Sequence, residues 1–72
     1  MKDVFITKQP VELYKILKFE GVVSSGAEAK AAIADGHVLV NSEVETRKRR
    51  QIVAGDIIEY GPIKIRIQFL PE

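Results

Sequence analysis

The spacing of apolar residues changes character along the chain, and each change marks an element. Val4, Phe5 and Ile6 form a short unbroken run within Asp3 to Thr7, which predicts a strand. From Val11 the spacing lengthens. Leu13, Ile16, Leu17 and Glu20 share one helical face at intervals of three and four, with Lys15 and Lys18 on the other side. Pro10 suits the first turn of that helix, where a missing N–H costs nothing, and Gly21 suits its left-handed cap. Val22 and Val23 bridge to a second helix. Ser25 is a good N-cap for it, and Glu28 three residues later completes a capping box. Ala27 to Ala34 is rich in alanine, Ala29, Ala32 and Ile33 share a face, and Gly36 is the expected stop.

Beyond Gly36 the pattern is that of β-structure. His37 to Val40 predicts a strand, Asn41-Ser42 a turn, and Glu43 to Glu45 the returning strand. A basic loop follows, then Gln51-Ile52-Val53 leads into a second turn at Ala54-Gly55-Asp56. Ile57 to Tyr60 is the next strand, and Gly61-Pro62 turns the chain again. Ile63, Ile65, Ile67 and Phe69 then alternate with Lys64, Arg66 and Gln68, the period of a half-buried strand. The order predicts one α+β domain over residues 1–72: an N-terminal strand, two packed helices, then a small antiparallel sheet.

Composition narrows the function. The 72 residues contain no cysteine, so disulfides and thiolate metal sites are excluded. No apolar run approaches the roughly 18 residues of a membrane span, and the N-terminus lacks the features of a signal peptide; a cytoplasmic protein with no membrane partner is expected. There is no Gly-rich phosphate loop and no His–carboxylate motif, and the chain is short for burying a small-molecule site, so neither an enzyme nor a cofactor is expected. His37, the only histidine, reads as a strand-start residue.

The net charge of +1 does not by itself suggest a nucleic-acid partner, but its distribution does. Arg47, Lys48, Arg49 and Arg50 are consecutive, while the acidic residues are scattered. Four adjacent cations with no acid among them repel one another, and a purely structural loop has no evident reason to keep them. Arginine's planar fork suits phosphate and also stacks on bases. The competing reading is a solvated loop.

The segment from Ser25 to Asn41, continued to Gly55-Asp56-Ile57-Ile58, resembles the core motif of the S-four domain family, named after small-subunit ribosomal protein four. That motif is a serine-capped helix ending in glycine, a valine-rich strand closed by asparagine, and a later Gly-Asp-x-Ile turn. The resemblance covers roughly Val11 to Tyr60, and the whole chain is similar to the short stand-alone YbcJ-like members, in which no enzyme is attached. It implies binding of structured RNA, ribosomal or transfer RNA, through the surface called the αL motif. By position it implies Ser25, Gly26 and Lys30 on the second helix, Asn41 at the strand end, and the loop Arg47, Lys48, Arg49 and Arg50. The chain departs from the pattern where Gly26 replaces an arginine, where Ala34 and Asp35 replace a basic residue, and where Asn41-Ser42 replaces Asn-Gly. These losses shift the expected contacts toward the loop. Gly26 would then let an RNA backbone approach the start of the second helix, where free N–H groups and the helix dipole favour an anion. Lys15 and Lys18 have a peripheral phosphate role at most, and Tyr14, Phe19 and Tyr60 are read first as packing residues. A different class of function, a protein adaptor using the sheet edge or the apolar side near Ile63 to Leu70, stays open. A DNA-binding role is weaker still, for want of a recognition helix. A monomer is expected, since no apolar helix face remains once the core is formed.

Overall fold

The computed structural model describes residues 1–71. Seven strands and two helices follow in order: β1 Lys2–Ile6, β2 Val11–Glu12, α1 Leu13–Phe19, α2 Gly26–Ala34, β3 Val38–Val40, β4 Glu43–Val44, β5 Gln51–Ile52, β6 Ile57–Tyr60 and β7 Ile63–Phe69. Five strands form one sheet in the order β1-β7-β6-β3-β4, and β2 pairs with β5 separately. This is the α+β architecture that the pattern predicts, with two differences. The sheet is mixed, because β1 lies parallel to β7, Val4 opposite Ile67. The first helix also begins later than Val11: Val11 and Glu12 pair antiparallel with Ile52 and Gln51, so Pro10 precedes a strand rather than sitting in a helical turn.

The helices pack on one face of the sheet. Leu13, Ile16 and Leu17 from α1 and Ala29, Ala32 and Ile33 from α2 meet Val4, Val38, Val40, Ile58, Ile65 and Ile67 in one core, closed by Val23 and Ile52. Each fully buried Ile or Leu contributes about 1.5–3 kcal/mol through removal from water. Alternation along β7 works in the middle and fails at its ends, where Ile63 and Phe69 are exposed.

Both helices stop by the same device. Gly21 (φ 69°) and Gly36 (φ 80°) take left-handed backbone that residues with a Cβ avoid. In α1 the Val22 and Gly21 N–H groups then donate to the Leu17 and Lys18 carbonyls; in α2 the His37 and Gly36 N–H groups donate to the Ala32 and Ile33 carbonyls. This paired pattern satisfies carbonyls that a helix end leaves over. At the start of α2, Ser25 Oγ accepts the Glu28 N–H at 3.1 Å. The Glu28 carboxylate reaches back to the Ser24 N–H and hydroxyl, one residue earlier than a standard capping box. Among the described residues no helix is long and apolar enough to cross a membrane.

Candidate nucleic-acid interface

The basic loop is organised around an acid that the sequence reading overlooked. Glu45 donates its N–H to the Val38 carbonyl at 2.9 Å, which fixes it just beyond β4 with its side chain turned inward. It is the one buried charged residue among those described, 6% exposed. Its Oε2 accepts the Arg47 backbone N–H at 2.9 Å and Arg47 Nε at 3.0 Å. Its Oε1 accepts Arg47 Nη2 at 3.0 Å and Arg50 Nη1 at 2.9 Å. Four donors saturate the carboxylate. The bonds from Arg47 foremost, with help from Arg50, hold its pKa down at about 2 against the opposing effect of burial, and the same contact raises the pKa of Arg47. The expectation that the cations stand without an acid is therefore corrected: Arg47 and Arg50 have a structural reason to be there. The clue was available, since residues two apart in extended chain, such as Glu45 and Arg47, point the same way.

Arg49 and Lys48 face outward. Arg49 meets Glu12 at 3.4 Å, a pair open to solvent. Lys48 pairs with no carboxylate among the described residues. Arg47, Arg49, Arg50 and Gln51 line a cleft of about 520 Å³. The loop also caps α1: the Leu13 N–H donates to the Arg50 carbonyl at 2.9 Å and the Tyr14 N–H to the Lys48 carbonyl at 3.2 Å. These bonds use N–H groups that a helix start leaves free, and they tie the loop to the helices.

Tyr14 marks the junction. Its half-buried ring has Lys30 Nζ 4.6 Å from its centroid, the Arg49 guanidinium carbon at 5.7 Å and Lys15 Nζ at 6.0 Å. Cations from α1, α2 and the loop thus gather on one aromatic side chain, which attracts each through its ring electrons. Lys15 is also held by Glu12 at 3.2 Å. Gly26 lies at the same place: a Cβ there would stand 3.8 Å from Lys18 Cδ and 3.9 Å from the Tyr14 ring.

Of the residues proposed from sequence, the structure brings Lys30, Gly26 and Arg49 together around Tyr14, with Arg47, Lys48 and Arg50 on the adjoining loop. Ser25 is occupied as the helix cap, and the end of α2 expected to attract an anion already carries one, the Glu28 carboxylate, whose pKa the Ser24 bonds lower. Asn41 stands apart in the β3–β4 turn. Its Oδ1 accepts the Ile57 N–H at 2.9 Å and its Nδ2 donates to Asp56 Oδ1 at 3.0 Å, linking two turns. Tyr14, Lys15 and Lys18, which the sequence reading left at the periphery, lie within this cluster, and Glu12 pairs with Lys15 and Arg49 beside it. His37 is exposed and lends its N–H to the end of α2. No group of acidic, histidine or cysteine residues among those described is arranged to hold a metal ion.

Residues 4–68 match the S4 domain family. The chain is 49% identical over 68 residues to "Putative RNA-binding protein YbcJ" of Escherichia coli (strain K12), covering 93% of this chain and 97% of that protein. It is 34% identical over 56 residues to "Probable ribosome maturation protein RlbA" of Bacillus subtilis (strain 168), covering 78% of this chain and 79% of the relative. Among solved structures, the solution structure of Escherichia coli YbcJ superposes with a TM-score of 0.73 at 45% identity, over 94% of this chain and 87% of that one. That structure is described as revealing an αL motif involved in RNA binding.

Proposed function

The chain belongs to the S4 domain family, and we propose on that premise that it is a single, monomeric, cytoplasmic module that binds structured RNA without catalysing a reaction. The observation that carries this reading is the convergence on Tyr14 of cations from three separate parts of the chain: Lys15 on α1, Lys30 on α2 and Arg49 on the loop. Lys18 flanks them and Lys48 extends the face. RNA affinity comes largely from phosphates neutralised by such cations, while A-form shape and unstacked bases supply selectivity. Ribosomal RNA is the partner class we favour, in line with the ribosome-maturation name of the Bacillus subtilis relative; transfer RNA is the alternative.

The structure decides which variant tests this. Replacing Arg47, Lys48, Arg49 and Arg50 together would strip the buried Glu45 of its partners and mix folding with binding. A cleaner variant changes Lys30, Lys48 and Arg49 to alanine, because none of them holds a buried group. Titrated into a labelled rRNA hairpin at several salt concentrations, the wild type should show a log–log slope of about −3, and the variant should lose about two of those three units. Equal slopes would move the binding face elsewhere.

A second reading retains one observation in its favour. Val4, Ile6, Val11 and Ile16, with exposed Phe5 and Phe19 at the rim, line an apolar groove of about 320 Å³ beside the edge strand β1. A protein adaptor would use that groove, bind its partner with little salt dependence, and ignore RNA.

A further inference from the structure

A carboxylate at the edge of a loop that binds phosphate is, by charge alone, a defect. It cancels one cation and repels the ligand. Its geometry suggests another role. Arg47 presents one edge of its guanidinium, Nε and Nη2, to Glu45 and is otherwise open, its side chain 73% exposed. Arg50 spends only Nη1 on the carboxylate and is 30% exposed. An arginine has five N–H donors, so both keep donors to spare. Without the acid, the two guanidiniums would repel one another and sample many rotamers, and ordering each side chain on binding would weaken the complex. With it, both are fixed in advance beside the cleft that Arg49 and Gln51 complete.

We propose that Glu45 is a positioning residue for RNA phosphate: it holds Arg47 and Arg50 so that their free edges, together with Arg49, form one preorganised cleft that accepts a phosphodiester group. This rests on the RNA-binding reading above and adds a discrete site to it. Glu45 touches the arginines and not the ligand, so the cleft works through a fork whose one edge grips protein and whose other edge grips phosphate.

The two accounts of Glu45 predict opposite signs. Glu45→Gln takes the formal net charge from +1 to +2 with almost no change in shape. If charge alone matters, RNA binds more tightly and the salt slope steepens. If Glu45 positions the arginines, binding weakens about tenfold and the slope becomes shallower despite the added charge. The measurement is a fluorescence titration of a labelled rRNA hairpin at several salt concentrations, with wild type, Glu45→Gln and Arg47→Lys side by side. Arg47→Lys, checked by a urea melt because Arg47 also holds the buried Glu45, keeps the charge but loses the fork. It should lose a similar factor, so the test stands even if Glu45→Gln fails to fold. Tighter or unchanged binding by Glu45→Gln, or full affinity in Arg47→Lys, overturns the proposal while RNA binding itself stands. A wild type that binds no RNA overturns the RNA reading and the proposal with it.

Discussion

At the scale of single residues, two side chains do work that their types alone do not announce. Glu45 contributes stability whose pH dependence has a definite sign. Its ordinary pKa of 4.5 falls to about 2 in the folded protein, so the unfolded chain takes up the proton first as pH drops. The contribution is fully present above 4.5, fades between 4.5 and about 2, and is absent below. Urea melts of wild type and Glu45→Gln should therefore differ by a constant amount near neutral pH, about 1–2 kcal/mol for charge-assisted bonds to arginines that solvent still reaches. The gap should close as pH approaches 2; a gap that persists there would place the effect in packing rather than charge. Asn41 is the second case. It and Ser42 have φ of 53° and 70°, the two left-handed residues of a tight hairpin turn, and its amide bridges to Ile57 and Asp56. Asn41→Ala loses both backbone tolerance and bonds, about 2 kcal/mol in all. Asn41→Gly restores the backbone and should lose only about 1 kcal/mol. Identical denaturation midpoints for the two variants would assign the whole effect to the amide.

At the scale of elements, α2 is fixed from both ends, and each end can be tested separately. Ser25→Ala removes the acceptor for the Glu28 N–H and should cost about 1 kcal/mol. Gly36→Ala places a Cβ 3.6 Å from Val44 Cγ1, an ordinary contact, so its cost is the left-handed backbone alone, about 1–2 kcal/mol. Thermal melts of both variants, compared with the double variant, should show additive losses, since the caps share no contact. This helix was legible in the sequence because its signals are local: a serine cap, an alanine run and a glycine stop. The start of α1 was not, because Val11 and Glu12 are claimed by Ile52 and Gln51 from far along the chain, and no local spacing records that. The same distance hides the parallel pairing of β1 with β7, although each strand is readable alone. The candidate site divides likewise. Its cations stand out in one run of sequence, whereas Tyr14 and Lys30 join them only once α1 and α2 pack together, and the buried acid that orders the loop lies just outside the run.

At the scale of the whole molecule, the charges that would bind RNA and the apolar core that carries most of the fold are separate, and salt can pull them apart. Fourteen buried apolar residues form the core, while the ion pairs Lys2–Glu20, Lys15–Glu12, Lys64–Glu59 and Arg66–Asp3 lie on the surface. Exposed pairs are worth about 0–1 kcal/mol each and are screened, so a tenfold rise in salt removes little of the folding free energy. Burial of apolar surface does not depend on those charges at all. RNA binding follows a different law. With a slope of about −3, the same tenfold rise lowers affinity about a thousandfold. Melting temperature and RNA affinity measured across that range should therefore diverge, the first moving by a few degrees and the second by about three orders of magnitude. Parallel collapse of both would mean that salt acts by unfolding the domain, and that the basic face contributes to stability more than its exposed geometry implies. Divergence would leave phosphate neutralisation as the cause, acting on a scaffold that stays folded while its ligand leaves.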